Sequence, residues 1–345
     1  MTDASTESST EQTGQAPLPS EALLAKEGAL PNMPLRTILA IPVATLIAFG
    51  IHFFVSKNRP APETRLYFIF LATAFLSALV ANGLQWLWAL PRRWLTHISP
   101  IIAATILLLA LWDLITTGFH LLPLPYFPGP AAVLQSLTND RQLLLESAGN
   151  SLLLLFSGYA IGVVIALVTG ICIGWFAQAR YWGMPLLKVV GPIPATAWIP
   201  LAMVLAPSPR FSAIGLIALA VWFPVTMLTA SGISNTRASY LDVARTLGAN
   251  RAYLIFRVAI PAAMPNIFIG LFMGLGASFL TLIVAETVGV KSGLGWYVSW
   301  AQGWAEYGKV YAALVIMAAF FSTIMTVLFK VRDRVLVWQK GVIKW

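Results

Sequence analysis

"YLDVARTLGANRAYLIFRVAIP", Tyr240–Pro261, is a charged, helix-patterned stretch between two long apolar runs. It brings Asp242, Arg245, Arg251 and Arg257 into a chain in which only 10% of residues are charged. Helical spacing puts Leu241, Ala244 and Leu247 on one face and turns Asp242 and Arg245 elsewhere. Gly248 ends that turn, as a residue with free φ does at a helix C-terminus. Asn250–Val258 reads as a second amphipathic piece, with Leu254, Ile255 and Val258 opposite Arg251 and Arg257. Pro261 is placed to start the next apolar helix, where a missing N–H costs nothing. The expectation is a short helix, a glycine bend and another short helix, lying across one face of a membrane. A helix resting on anionic lipid has the same pattern. Lipid binding does not explain Ala244 and Gly248, whose small size exposes backbone and suits insertion into a cleft on another protein.

The surrounding composition sets the class. The 345 residues are 58% apolar, with thirteen Trp and nineteen Phe, and the mean hydropathy is +0.79. A soluble domain carries roughly a quarter charged residues, and several windows here run almost uncharged for the length of a bilayer-crossing helix. The chain reads as an all-α, polytopic membrane protein. Lys and Arg exceed Asp and Glu by 22 to 13, a net charge of +9. In a membrane protein that excess marks cytoplasmic loops rather than nucleic-acid binding. One cysteine, Cys172, and three histidines supply no soft ligand set for a metal. Residues 1–34 are polar and Pro-rich, a disordered cytoplasmic tail by composition and not a secretory signal.

Eight membrane segments are expected, at about Leu35–Val55, Leu66–Leu90, Ile98–Phe119, Ser147–Phe176, Leu186–Leu205, Phe211–Ser231, Ile267–Val290 and Val310–Phe329. They divide into an N-terminal pair over 35–91 and a six-helix core over 98–345, with the connecting loop at 237–264. The fourth carries Gly158/Gly162 and Gly170/Gly174, and the seventh carries Gly270, Gly274 and Gly276, small residues that let helices approach closely. Arg92, Arg93, Arg180, the Arg237–Arg257 group and the Lys330–Lys344 tail fall on one side if the last six segments alternate. That places the 237–264 loop and the C-terminus in the cytoplasm. The N-terminal pair fits that rule less well, because Lys57, Arg59 and Arg65 would then face outward.

Catalytic constellations are scarce. "GWAEYGK", Gly303–Lys309, has phosphate-loop spacing, but Val310 stands where the Mg²⁺-holding hydroxyl belongs and no strand precedes it. An aromatic loop at the membrane interface is the better reading. Asp113 and Glu286 are the acids inside membrane segments, and such residues are functional candidates by default. Both stand near segment ends, where reaching out to water is an ordinary outcome. For Glu286 two further readings stand, a structural bond or a place in a translocation pathway. Pro192, Pro194 and Pro200 break the fifth segment. Backbone groups freed there need protein or a water-filled cavity, which fits a passage-lining helix as well as a kinked packing helix.

The opening stretch resembles the EAA motif of permease subunits of binding-protein-dependent ABC importers: Glu-Ala-Ala, three residues, Gly, nine residues, then Ile-x-Leu-Pro. This chain has Asp242-Val243-Ala244, then Gly248 after three residues, then Val258-Ala259-Ile260-Pro261 after nine. "PYFPGPAAVLQSL", "SLLLLFSGYAIGVVIALVTGICIGW", "VVGPIPATAWIPLAMVL", "ALAVWFPVTML", "LIVAETVGVKSGLGW" and the basic "RDRVLVWQKGVIKW" tail extend the resemblance over about Tyr126–Trp345. They resemble the branch importing nitrate, taurine, alkanesulfonates, bicarbonate or thiamine precursors, from which "LAPSPRFSAI" departs. The resemblance implies a type I importer core with two extra N-terminal transmembrane helices, in the inner membrane. It implies a coupling helix made of Asp242, Val243, Ala244, Arg245, Leu247 and Gly248, with Pro261 closing the motif. The chain would be a non-catalytic subunit that binds no cofactor, with ATP and Mg on its partner. The partners implied are a second permease, identical or similar, two ATPase subunits, and a periplasmic or lipid-anchored solute-binding protein. The solute would be a small anion or zwitterion. The competing reading is an ion-coupled secondary transporter acting without an ATPase, which calls for internal repeats and midplane charges.

Overall fold

The computed structural model describes residues 35–54, 65–84, 89–119 and 121–338. The tail 1–34, the connection with Lys57 and Arg59, and the basic end after Trp338 lie outside the described residues. Those described form helices joined by short turns and connections, with no strand among them. Among the described residues six helices are long and apolar enough to cross a membrane, and a bent pair makes a seventh if counted as one span. The chain divides into two compact units, 1–58 with 67–118, and 59–66 with 119–345.

The first unit contains α1 (Leu35–Phe54), α2 (Arg65–Leu84) and α3 (Ala89–Asp113), the last continued by a π turn, Leu114–Gly118. α1 packs along α3, and Phe49 and Phe53 set their rings edge-on to Phe68 of α2. α1 is 20 residues long, close to the length a crossing needs. α2 is long and apolar enough over Arg65–Gly83 to cross. Asp113 does not reach water. It is 2% exposed, its Oδ2 lies 3.2 Å from His52 Nδ1, and Thr117 donates to its Oδ1. An unpaired carboxylate in hydrocarbon is costly, and these neighbours offset that cost.

In the second unit, α4 (Pro130–Asn139) precedes α5 (Arg141–Trp175), α6 (Ala177–Val190) and α7 (Ile199–Leu205). α8 (Pro209–Ser234), α9 (Ala238–Thr246), α10 (Arg251–Val288), α11 (Leu294–Gly303) and α12 (Tyr307–Val335) complete it. α8 is the central helix. On one side it meets α5, whose Gly158, Gly162, Ala166, Gly170 and Gly174 recur every four residues and are all buried. The approach is close: a Cβ on Gly162 would lie 2.7 Å from the Ala218 carbonyl oxygen. On its other side α8 meets α10, where Gly270 and Gly274 face Val225 and Val221. Gly276, expected to share that role, faces open space. The Tyr159 hydroxyl donates to the Leu271 carbonyl at 2.9 Å and ties α5 to α10 directly.

Two expectations need correction. The fifth segment is not one kinked helix over 186–205. α6 ends at Val190, a 3-10 turn covers Ala195–Trp198, α7 follows, and the two arms are bent by 83°. Pro192 and Pro194 withhold donors inside the break, while Pro200 sits in the first turn of α7, where proline is tolerated. The second short helix and the seventh segment are likewise one object. α10 begins at Arg251 and runs without interruption to Val288. Leu254–Ala259 forms a π turn, a wider register that absorbs the missing N–H of Pro261 inside the helix.

Candidate functional site

α9 stands between the ends of α8 and α10, and its shape is fixed locally. The Gly248 N–H bonds to the Arg245 carbonyl at 2.9 Å and the Ala249 N–H to the Ala244 carbonyl at 3.0 Å. That is a Schellman closure, with Gly248 in the left-handed region at φ 83°. Asn250 then caps α10, its Oδ1 accepting from the Tyr253 N–H at 2.8 Å. Arg251 lays its guanidinium 4.9 Å from the Phe176 ring, at the end of α5.

None of α9 is buried. Leu241 and Ala244 are half-buried, as their assigned face requires, but Leu247 is not: it is 83% exposed. The apolar stripe turned to solvent is Tyr240, Val243 and Leu247, at 51%, 60% and 83% exposure. Beside it lies a groove of about 500 Å³, whose walls include Tyr240, Val243, Ala244, Gly248, Tyr253 and Arg257. Asp242 and Arg245 pair with each other at 2.9 Å and project outward. Pro261, the last residue of the motif, is exposed within α10. The residues selected between Asp242 and Gly248 are thus on one short, rigid element. Tyr240 and Tyr253 escaped the sequence reading, although the spacing of Tyr240, Val243 and Leu247 is itself a helical stripe.

At the other end of α8 and α10, Glu286 is 1% exposed and does not reach water. Ser151 Oγ donates to Oε1 at 2.7 Å, and the Gly295 N–H donates to Oε2 at 2.7 Å. Ser151 Oγ also accepts from the Leu294 N–H at 2.8 Å. The carboxylate thereby holds the start of α11 against α5. Gly293, at φ 100°, and Gly295 make room for it, since a Cβ at either would run into the Glu286 side chain. Nearby, Lys309 of the GWAEYGK loop contacts Glu306 at 2.7 Å and Asp140 at 3.2 Å. Asp140 also accepts from the Tyr297 hydroxyl at 2.7 Å. Burial and this carboxylate push the Tyr297 hydroxyl above the ordinary tyrosine range. The lysine that a phosphate would need is engaged with two acids.

The pathway candidates do not converge. A cavity of about 290 Å³ opens at the break after α6, lined by Pro194 and Thr196, by Trp222 and Phe223 of α8, and by Met273 and Thr281 of α10. Pro192, Pro200 and Glu286 are not in its walls. No charged side chain lines it. Trp222 is held in place by its Nε1–H, which donates to Thr169 Oγ1 at 3.1 Å. Trp222 and Thr196 lie in stretches that carry the family resemblance but were not singled out there, and Thr281 lies in none of them.

Comparison with known proteins places this geometry. Residues 158–336, more than half of the chain, match the family described as binding-protein-dependent transport system inner membrane component. A probable ABC transporter permease protein of Brucella abortus (strain 2308) is 32% identical over 234 residues, 66% of this chain and 91% of that protein. The taurine transport system permease protein TauC of Escherichia coli (strain K12) is 29% identical over 251 residues, 70% of this chain and 88% of that one. The fold is similar to a chain of the methionine ABC transporter MetNI in an inward-facing conformation. That likeness has a TM-score of 0.50 and 17% identity, and covers 57% of this chain and 98% of that one. The chain belongs to the binding-protein-dependent transport system inner membrane components, as a multi-pass permease subunit of an ABC importer.

Proposed function

We propose that α9 is the coupling helix of this permease and docks into a separate ATP-hydrolysing subunit. The observation that carries this reading is the solvent-facing stripe Tyr240, Val243 and Leu247, ending at Gly248 beside an open groove. Three apolar side chains on a rigid helix are costly to leave in water and match a cleft on a protein partner. Val243, which replaces the first alanine of the motif, becomes part of the contact. Two copies of the permease, identical or similar, and two ATPases form the working unit, and a solute-binding protein delivers cargo to the opposite face. α9 and the C-terminus are cytoplasmic, in keeping with the basic residues at that end. Closure of the ATPases favours one of two permease states by making different contacts with α9 in each.

The cargo is a small oxyanion or zwitterion. TauC is named for taurine, and the uncharged cavity at Pro194 is large enough for such a solute while offering it no fixed counter-charge to bind too tightly. Reconstitution of the chain with its ATPase and binding protein in vesicles tests the reading. Wild type takes up solute only with ATP present, and Gly248→Asp or Leu247→Asp abolishes both docking and uptake. Solute uptake by the chain alone, driven by an ion gradient, would instead establish a secondary transporter.

A further inference from the structure

The α7 arm of the broken span borders a second groove, on the side facing the first half of α8. It measures about 300 Å³, and its walls include Trp198, Leu201, Leu205, Phe211, Ser212 and Leu219. Two polar atoms of this wall, Trp198 Nε1 and Ser212 Oγ, are closed off from solvent and have no hydrogen-bond partner among the described residues. An indole N–H can only donate, and a serine hydroxyl carries a donor as well. A buried donor without an acceptor bears the full cost of its desolvation. Ser212 had an easy remedy, because a helical hydroxyl can bond to the carbonyl four residues back. Ser157, Thr169, Thr323 and Thr326 all do so. Ser212 does not, so its hydroxyl is left for something else.

We propose that Trp198 Nε1–H and Ser212 Oγ–H are a two-donor subsite for the oxyanion of the transported solute, a short-chain sulfonate or carboxylate, reached when α7 tilts away from α8. The inference rests on the transport reading above. The groove walls hold no charged side chain, so the anion is met by neutral donors alone, which suits a site that must also release it. The apolar walls take the alkyl chain. Leu219 of α8 lines both this groove and the cavity at Pro194, so the two spaces share a wall.

The test uses the full chain in lipid nanodiscs with butanesulfonate as probe and its neutral analogue butyl methyl sulfone as control, followed by saturation-transfer NMR. Wild type binds the sulfonate better than the sulfone, and Trp198→Phe and Ser212→Ala each weaken it by about fivefold or more, the scale of one lost hydrogen bond. Both variants keep or raise the melting temperature, because an unpartnered buried donor has been removed. Equal sulfonate binding in wild type and both variants overturns the subsite, as does no binding to wild type. Disulfide capture of a second copy by Leu205→Cys, an exposed position of the groove wall, in a Cys172→Ser background, also overturns it by making the groove an interface between subunits. ATP-driven uptake of a sulfonate that is unchanged in both variants removes the subsite but leaves the transport reading standing. No ATP-driven oxyanion uptake by wild type removes both.

Discussion

The two ends of the α8–α10 pair hold polar residues in opposite ways. At one end α9 turns an ion pair and three apolar side chains outward, and its shape depends only on contacts within a dozen residues. At the other, Glu286 has both oxygens bonded and joins Ser151, Gly295 and its own helix across 135 residues of sequence. One end is finished without a partner and still exposes apolar surface, which is what the proposed docking would cover. The other is finished entirely from within. Stability and partner binding should therefore separate cleanly between them.

The largest stability effect is expected at the internal end. Glu286→Ala removes the acceptor of Ser151 and of the Gly295 N–H and leaves a hole where the carboxylate stood. Two buried donors without acceptors, at about 1–3 kcal/mol each, should lower stability by about 3–5 kcal/mol. The melting temperature of the detergent-purified chain would show this, while affinity of the surviving folded protein for the ATPase stays unchanged. Glu286 acting in the passage rather than in the frame would reverse the result, with uptake lost and melting unchanged. A smaller loss is expected at the α5–α8 contact. Gly162→Ala puts a methyl group into the Ala218 backbone, an overpacking that costs about 1–3 kcal/mol. Gly276→Ala, placed in open space on α10, should be neutral or stabilising by up to about 1 kcal/mol, since alanine is the better helix former. A destabilised Gly276→Ala would mean that this face packs against another subunit.

The same division governs what could be read from sequence. The bend at Gly248, the docking spacing from Asp242, and the four-residue glycine rhythm of α5 are local patterns, and all are legible. The proline break was legible as a break, but its 83° bend depends on how α7 meets α8. Pro261 misled for a physical reason: proline suits a helix start, and here a π turn precedes it within a helix that runs through. Long-range pairs left no trace. Nothing near Asp113 points to His52, 61 residues earlier, and nothing in the sequence around Ser151 announces that it bonds both Glu286 and Leu294. Tyr240 was missed because Leu241, Ala244 and Leu247 gave an equally good apolar face, and only the fold shows which face is turned toward α10.

The smallest stability effect belongs to the exposed pair on α9, and it offers the sharpest separation of the two ends. Asp242 and Arg245 are more than half exposed, at 64% and 56% of their side chains, so water screens their attraction and the pair contributes at most about 0.5 kcal/mol. Asp242→Asn should leave the melting temperature nearly unchanged. It also frees the Arg245 guanidinium and alters the charge beside the Val243–Leu247 stripe. If α9 seats in a partner cleft, the variant should bind the ATPase several-fold more weakly, mainly through slower association at low salt, because exposed charges at an interface edge act on encounter. The exchanged pair Asp242→Arg with Arg245→Asp tests the order of the charges rather than their presence. It preserves net charge and the three-residue spacing, so melting should again stay within about 0.5 kcal/mol of wild type, while docking fails to recover. Restored docking in the exchanged pair would mean that the two charges serve the helix alone, and that the apolar stripe by itself carries the contact.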